Sequence, residues 1–236
     1  MVTGPANDPL VREALMACRL FAGLDEARLD LVVGALRARR FRRGETIFHG
    51  GDPGDALFIV ASGSVKILVT PEDGSEPAIL TVVGPGGFFG ELALLDGAAR
   101  SATAVAVERV ETLVLRRDAF DHLVDDDAGI RRALLGALAS EIRRLTAQVE
   151  DLHFLDLPAR LASRILRLAA AEQAAADGEV RIPWPYTQSE LAGMIGGSRQ
   201  SVNRLLADLA DEGLVRIERE VLVVSDVRRL AGTVER

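Results

Sequence analysis

The spacing of apolar residues changes character along the 236-residue chain. Residues 9–40 place apolar side chains three and four apart, which predicts helices. From Gly44 to about Arg116, short apolar stretches are separated by glycine-rich breaks such as GGDPGD, PEDGSE and GPGG, which predicts strands and turns. The expected strands are ETIFH, ALFIVAS, SVKILVT, PAILTVV, SATAVAV and VETLVLR. This spacing predicts an all-β barrel or roll, and the basic run RARRFRRG before it predicts an exposed strand or turn edge.

A heptad repeat follows the strands. Its apolar residues alternate in spacing between three and four, the repeat that aligns them along one stripe of a helix. The stripe, called the seam below, consists of Leu135, Leu138, Ile142, Leu145, Val149 and Leu152. It predicts pairing with the same helix of a second copy. The alternative is an amphipathic helix that lies on its own domain.

The C-terminal third shows helix signals at several points. Asp156 is an expected N-cap of a helix whose first turn accommodates Pro158, and we expect a hinge near Asp156. Further on, Thr187 and Glu190 have the T-x-x-E spacing of a capping box. The GGS segment then breaks the first helix, and Ser198 is positioned to cap a second one.

The second helix is expected to run from about residue 199 to residue 212 and to end at Gly213. The segments LVRIE and VLVVS then predict a hairpin, so the order is helix, turn, helix and wing. The helix would expose Arg199, Gln200, Asn203 and Arg204. Arginine and amide side chains at a helix N-terminus are the residue types that read base edges in a major groove. Glutamine favours adenine, although Gln200 could instead contact only phosphate or water.

The formal net charge of −7 argues at first against a nucleic-acid partner. However, the first 156 residues hold 17 basic and 24 acidic residues, whereas the remaining 80 hold 11 of each. The acidity therefore belongs to the first part of the chain. Local arginine placement in the second part decides DNA contact.

Few residues suited to catalysis are present. Lys66 is the single lysine and lies in a predicted strand, so no lysine is available for a phosphate-binding loop or a Schiff base. The single cysteine, Cys18, excludes an internal disulfide and any all-cysteine metal site. No apolar run approaches the length of a membrane span. The first ten residues lack a signal-peptide pattern, so we expect a cytoplasmic protein with no membrane partner.

The segment GELALLDGAARS, residues 90–101, combines a carboxylate, a guanidinium, a hydroxyl and exposed glycine amides. We call it the cassette. This combination suits a small ligand that carries both a hydroxyl and an anionic group. One alternative is a structural ion pair between Glu91 and Arg100. Another is a hydrolase with Glu91 and Asp96 as paired carboxylates, although these would lie on different faces of a helix.

Three segments together, FGELALLDGAARSATA, LHFLDLPARLASRIL and TQSELAGMIGGSRQSVNRLL, resemble the Crp–Fnr family of bacterial transcription regulators. The resemblance covers essentially the whole chain. It implies an α+β fold: a cyclic-nucleotide-binding, jelly-roll-like β-roll with N-terminal helices over residues 1–128, a long dimerisation helix over 129–155, and a winged helix-turn-helix domain over 156–236. The oxygen-sensing branch of the family needs several cysteines for its cluster, and this chain has one.

The resemblance also assigns roles to residues. Glu91 would accept a hydrogen bond from the ribose 2′-hydroxyl, and Arg100 and Ser101 would bind the cyclic phosphate. Gly90 and Leu92 would supply nearby amides. Thr146 would contact the base, whereas Leu145 takes a position where the family can have a hydroxyl. The expected DNA contacts are Thr187, Ser198, Arg199, Gln200, Ser201, Asn203 and Arg204.

The resemblance implies a non-enzymatic homodimer that binds palindromic double-stranded DNA and RNA polymerase. We expect no cofactor or metal. The allosteric ligand is expected to be cAMP, with cyclic GMP or a cyclic dinucleotide as alternatives. A ligand-independent DNA-binding regulator of the same family, in which the cassette is only structural, is also open.

Overall fold

The computed structural model of the protein describes residues 9–21, 23–70, 77–171, 179–184 and 186–234. The chain divides into two compact units, residues 1–143 and 144–236, and the division falls inside one long helix. The predicted PEDGSE turn lies outside the described residues, as do residues 177 and 178 of the turn before the winged helix-turn-helix segment.

The first unit begins with α1 (Pro9–Ala17), a short 3-10 turn (Arg19–Phe21) and α2 (Glu26–Ala35). Its strands are β1 (Arg37–Phe41), β2 (Thr46–Phe48), β3 (Ala56–Ser62), β4 (Val65–Val69), β5 (Ala78–Val83), β6 (Phe88–Phe89), β7 (Thr103–Ala106) and β8 (Val110–Arg116). Its remaining helices are α3 (Leu92–Asp96), α4 (Arg117–Asp126) and the start of α5 (Ala128–Phe154).

The strands form two antiparallel four-stranded sheets, ordered β1-β8-β3-β6 and β2-β7-β4-β5. All six predicted strands are present, and β1 carries the exposed basic run, as predicted. Strand β6 was not predicted, because two residues are too few to show alternation. The helical prediction to residue 40 is wrong beyond Ala35, since Leu36 is extended and directs the chain into β1.

Strand β3 is buried on both faces and separates two apolar cores. Phe58 and Val60 point into the core between the two sheets, which also contains Phe89 and Val65. The alternate residues of β3 point to the other side, where α1, α2, α4 and the start of α5 cover the sheet. This arrangement follows from the two-residue period of a strand in which both faces are apolar.

The first half of α5 packs on this second core through Ile130, Leu134 and Ala137. These residues lie four and three apart, so they form one stripe of the helix. The stripe is distinct from the seam. Only Leu138 among the seam residues also packs, partly buried, against the core of its own unit.

The second unit contains α6 (Leu157–Ala171), β9 (Val180–Pro183), α7 (Gln188–Ile195), α8 (Arg199–Asp211), β10 (Val215–Glu218), β11 (Val221–Val224) and α9 (Val227–Ala231). Its three strands form an antiparallel sheet in the order β10-β11-β9. The predicted hairpin is confirmed, whereas β9 was not predicted as a strand. Leu161, Ile165, Val202 and Leu222 are among the residues that fill a core between the helices and this sheet.

Candidate ligand site and nucleic-acid interface

Two glycines with left-handed backbone set the shape of the cassette. Gly90 follows β6 with a φ of 82°, and Gly97 ends α3 with a φ of 72°. A Cβ atom at Gly90 would lie 2.6 Å from Nη1 of Arg100, so a side chain there would displace the guanidinium, and the positive φ disfavours one as well. Gly90 therefore lets the backbone pass directly over the Arg100 guanidinium.

Arg100, near the end of the cassette, is buried, with 5% of its surface exposed. Its Nη1 donates to the carbonyl oxygen of Gly90 at 2.6 Å, and its Nη2 donates to that of Ala56 at 2.7 Å. The guanidinium carbon lies 4.3 Å from the centre of the Phe48 ring, within cation–π distance. Its Nε is buried and has no hydrogen-bond partner among the described residues. Burial lowers the pKa of Arg100 from its ordinary value.

Glu91 occupies the N-cap position of α3 and is half-buried. Burial raises the pKa of its carboxyl group, and the nearby charge of Glu141 on α5 raises it further. Arg100 donates to the two carbonyl groups described above rather than to Glu91. The predicted alternative of a Glu91–Arg100 ion pair therefore does not describe this arrangement. Arg100 and Glu91 instead lie near each other without forming a direct ion pair.

The other predicted ligand residues are more accessible. Leu92 is 47% exposed at the start of α3, and Ser101 is exposed next to Arg100. Thr146 is exposed on α5 and belongs to the second unit. Asp96 ends α3, and its carboxylate accepts a hydrogen bond from the amide of Ala98 at 2.9 Å. The carboxylate of Asp96 thus stabilises the turn that closes the cassette.

A second buried contact to the cassette was not predicted from the sequence. Arg117, at the start of α4, donates to the carbonyl oxygens of Ala93 at 2.6 Å, Leu94 at 3.0 Å and Gly54 at 2.8 Å. The first two carbonyls belong to α3, a helix too short to satisfy them itself. Arg117 therefore fixes α3 to the loop before β3. The only available sequence signal is an arginine pair directly after a strand, which is too common to identify such a role.

The helix-turn-helix has the predicted local chemistry. The Thr187 hydroxyl accepts from the amide of Glu190 at 3.2 Å, and the Glu190 carboxylate accepts from the amide of Thr187 at 2.7 Å, so the capping box is confirmed. Ser198 caps α8 by accepting from the amide of Ser201 at 3.1 Å, as predicted. The hydroxyls of Ser198 and Ser201 also bond to each other at 2.8 Å. These hydroxyls are thus occupied in holding the helix starts.

The surface of α8 presents the predicted base-reading residues to solvent, namely Arg199, Gln200, Asn203 and Arg204. Val202 and Leu206 face the core, and Leu205 and Leu209 are partly buried against it, as predicted. The amide of Gln188 on α7 donates to the side-chain oxygen of Asn203 at 2.9 Å. Sequence reasoning missed Gln188, because nothing local indicates that it reaches the second helix.

Ion pairs link the two outer strands of the sheet that contains the wing. Arg181 and Arg216 on β9 and β10 pair with Glu179 and Glu218 at distances of 2.7 to 3.7 Å. Arg219 follows at the tip of the hairpin with a φ of 59°. Within the described part of the chain it is the residue other than glycine that adopts a positive φ. The strands of the wing are therefore largely charge-balanced, and Arg219 contributes a cation at the tip.

The seam is exposed at five of its six predicted positions. The exposed residues, at 46–67% of their surface, are Leu135, Ile142, Leu145, Val149 and Leu152. The sixth, Leu138, packs partly buried against the core of its own unit, so it is not an exposed interface position as predicted. The alternative, in which the helix lies on its own domain along this stripe, does not fit, since a different stripe serves that purpose. A row of exposed leucine, isoleucine and valine side chains marks an interaction surface.

Two protein families match the two parts of the chain. Residues 38–127 match the cyclic nucleotide-binding domain, and residues 159–233 match the Crp-like helix-turn-helix domain. A CRP-like cAMP-activated global transcriptional regulator from Mycobacterium tuberculosis is 36% identical over 219 residues, which cover 93% of this chain and 97% of that protein. The chain belongs to the Crp–Fnr family.

Other members of the Crp–Fnr family match with similar coverage. The cyclic AMP receptor protein of Thermus thermophilus is 36% identical over 198 residues, covering 84% of this chain and 88% of that protein. A solved structure of a CRP-family transcriptional regulator from the same organism superimposes with a TM-score of 0.68 at 29% identity, covering 84% of this chain and 97% of that one. The family and its fold are those of transcription regulators, so the paired-carboxylate hydrolase is not supported. None of the helices in the described residues has the length and apolar character needed to cross a bilayer.

Proposed function

We propose that this Crp–Fnr regulator binds cAMP in the cassette and that the ligand controls the binding of a homodimer to palindromic DNA. The observation that carries the proposal is Arg100, a buried guanidinium whose Nε has no partner in the described part of the chain and which lies against Gly90 and near Glu91. A phosphate oxygen is the acceptor that suits such a donor best, because charge-assisted bonds to phosphate are strong. The names of two relatives, a cAMP-activated regulator and a cyclic AMP receptor protein, support cAMP as the first ligand to test.

A phosphate oxygen bound at Nε would lie beside the two bonds that Arg100 donates to carbonyl groups. These bonds, to the carbonyl oxygens of Gly90 and Ala56, join the cassette to β3. The ligand would therefore bind next to contacts on which the position of the cassette depends. Glu91 would accept a hydrogen bond from the ribose hydroxyl of the ligand, because its carboxylate lies near Arg100 but does not pair with it.

Isothermal titration of the purified protein with cAMP, cyclic GMP and a cyclic dinucleotide tests the ligand. We expect saturable binding of cAMP and weaker binding of the others, with Leu145 and Thr146 as the residues that set base preference. Equal heats for all three, at the level of a buffer titration, would favour the ligand-independent regulator. In that case the carbonyl bonds of Arg100 would have a structural role only.

We propose that α8 enters the major groove and that two copies, paired along the seam, bind inverted half-sites about 34 Å apart. Arg199 and Arg204 would each pair with guanine, and Gln200 would favour adenine. Selection from random DNA with the wild type and Gln200→Glu tests this. We expect the two proteins to differ at one base pair of each half-site. Identical selections at every position would show that Gln200 reads no base.

We also propose RNA polymerase as a partner and the cytoplasm as the location, because a regulator of this family acts on DNA during transcription. Transcription in vitro from a promoter that carries the selected site, with and without cAMP, tests the first point. A change in transcript level that requires both the site and the protein is the expected result. It would also show whether the protein activates or represses.

A further inference from the structure

The cassette is supported by a loop that contains none of the proposed ligand contacts. This support loop, residues 50–55 with the sequence GGDPGD, lies between β2 and β3. The amide of Gly51 donates to the carbonyl oxygen of Arg100 at 2.8 Å. The amide of Arg100 in turn donates to the carbonyl oxygen of Asp52 at 2.8 Å. The backbone of the support loop is therefore bonded to the end of the cassette that holds Arg100.

Gly54 brings the support loop directly against α3. A Cβ atom at Gly54 would overlap the Cβ atom of Ala93 and would lie 3.1 Å from both Cζ and Nε of Arg100. Ala93 is buried, with 2% of its surface exposed, and a close-packed interior offers little room for it to move. A side chain at position 54 would therefore push α3 away from the loop. The glycine is what allows the close approach.

Arg117 bonds α3 to the same loop. Its Nη2 donates to Ala93 O at 2.6 Å and to Gly54 O at 2.8 Å, and its Nη1 donates to Leu94 O at 3.0 Å. Its backbone amide also donates to Asp55 O at 2.8 Å. The rigid, planar fork of an arginine can bind the carbonyl groups of two segments at once. This one side chain therefore sets the distance between α3 and the support loop.

Glu91 depends on α3 for its position. It is the N-cap residue of the helix, and its carbonyl oxygen accepts from the amides of Leu94 and Leu95 at 3.0 and 3.1 Å. Its carboxylate accepts no capping hydrogen bond from the amides of α3, all five residues of which are described. The place of the carboxylate consequently follows from where the backbone of α3 lies. By contrast, Arg100 is held by its own bonds to two carbonyl groups.

We propose that Arg117 is a positioning residue for the recognition of ribose. It holds α3 against the support loop, and α3 in turn holds the Glu91 carboxylate where it accepts from the 2′-hydroxyl of the ligand. Arg117 is not among the residues proposed to contact the ligand. Its loss therefore weakens the contact with the hydroxyl more than the contact of Arg100 with the phosphate. This inference rests on the proposed function, because it concerns the same site.

Calorimetric titration of the full-length protein with cAMP and with 2′-deoxy-cAMP tests the inference. The two ligands differ only in the 2′-hydroxyl, so the ratio of their dissociation constants measures the contact with that group. We expect the wild type to bind 2′-deoxy-cAMP about tenfold or more weakly, because the Glu91 carboxylate loses its partner. In Arg117→Ala the ratio should fall to about twofold or less. A smaller folded fraction would weaken both ligands equally, so a merely structural role would leave the ratio unchanged.

Arg116→Ala is the matched control. Arg116 directly precedes Arg117, and its side chain is 64% exposed in a surface pair with Asp55 at 3.4 Å. The variant removes a cation at the adjacent position and keeps the bonds to α3. We expect its ratio to match that of the wild type within about twofold. A ratio that falls as far in Arg116→Ala as in Arg117→Ala would show an effect of charge and overturn the positioning role.

Gly54→Ala tests the same distance from the other side. The added Cβ atom would push α3 outward, so the ratio should fall as in Arg117→Ala. Combining it with Ala93→Gly removes the atom that the new Cβ would meet, and the ratio should return to within about twofold of the wild type. The 3.1 Å approach to Arg100 remains in both variants, but it affects both ligands alike. No recovery in the double variant would contradict the role of this distance.

Failure of the positioning role and failure of the proposed function give different results. If the wild type binds cAMP and Arg117→Ala keeps the wild-type ratio, Arg117 does not position Glu91 and the proposed function stands. A wild-type ratio near one would show that Glu91 does not contact the hydroxyl, which also overturns the positioning role. No binding of cAMP by the wild type would contradict both. If Arg117→Ala does not fold, Arg117→Lys provides the measurement, because it keeps the charge and loses the fork.

Discussion

Gln188 on α7 and Asn203 on α8 are joined by a side-chain hydrogen bond of 2.9 Å across the helix-turn-helix. Both residues lie on the side of the unit where α8 is exposed. The bond uses the oxygen of Asn203 and leaves its NH₂ group available. If Asn203 contacts DNA as proposed, this bond orients its side chain beforehand, and such preorganisation favours affinity.

Gln188→Ala is therefore expected to weaken DNA binding about fivefold, since a net hydrogen bond contributes roughly 0.5–1.5 kcal/mol. A double-mutant cycle with Asn203→Ala, followed by fluorescence anisotropy on the selected site, measures the interaction of the pair. If the two effects are simply additive, the bond does not orient Asn203.

Arg100→Ala is expected to abolish cAMP binding and also to lower the melting temperature. From the sequence alone the fold is expected to stay intact. The structure changes that expectation, because the guanidinium bonds Gly90 and Ala56 and packs on Phe48. Loss of buried bonds to a charged group costs about 1.5–3 kcal/mol.

Titration calorimetry and differential scanning fluorimetry of the same samples check both effects. Arg117→Ala serves as a comparison, since it removes carbonyl bonds beneath α3 but no predicted ligand contact. Unchanged cAMP affinity in folded Arg100→Ala would contradict the cassette assignment.

Glu91→Gln is expected to raise the stability of the ligand-free protein near neutral pH. The pKa of Glu91 is raised above its ordinary value of 4.5, first by burial and then by Glu141. The folded state therefore binds the proton more tightly than the unfolded state. It follows that wild-type stability falls as pH rises from about 4.5 through the raised pKa.

The difference in melting temperature between Glu91→Gln and wild type should thus be largest near pH 7.5 and should shrink toward pH 4.5. Glu13→Gln, which replaces an exposed glutamate on α1, is the matched control for the change from carboxylate to amide. A difference that grows on acidification would contradict the sign. Loss of cAMP affinity should be smaller than for Arg100→Ala, because an amide oxygen still accepts a hydrogen bond.

The double variant Ile142→Asp with Leu145→Asp is expected to be monomeric. Each exposed apolar side chain is replaced by a charge that would face its own copy across a two-fold axis. Sedimentation velocity at micromolar concentration checks the mass. Met16→Asp is the matched control, because Met16 is 72% exposed and lies outside the seam. An intact dimer in the double variant would show that another surface holds the subunits together.

Arg219→Gly is expected to stabilise the second unit by about 1 kcal/mol, because a left-handed backbone costs most L-residues 1–2 kcal/mol. The register pairs Glu218 with Val221, which leaves a two-residue turn whose first position favours glycine. Thermal unfolding measures the gain. Arg219→Ala removes the same cation and keeps the strain, so a gain of equal size in both variants would show that the backbone is not the cause.

Much of this protein could be predicted from local chemistry in the sequence. Strands β3 and β8 begin and end where the apolar pattern places them, because their residues alternate between two buried faces. The capping box at Thr187 and the cap at Ser198 depend on residues three apart in the chain. Short strands such as β6 lie below the length at which alternation can be recognised.

Only the tertiary structure shows which of several similar residues are buried and which groups they bind. Both stripes of α5 are apolar, and only packing against the sheet shows that Ile130 and Leu134 are buried while Ile142 remains exposed. Likewise, the arginines at 100, 117 and 160 look alike in the sequence. Each bonds to carbonyl groups at least five residues away, up to 63, and no local pattern records such contacts. A period in the sequence determines that a face exists, but only the folded chain determines what that face meets.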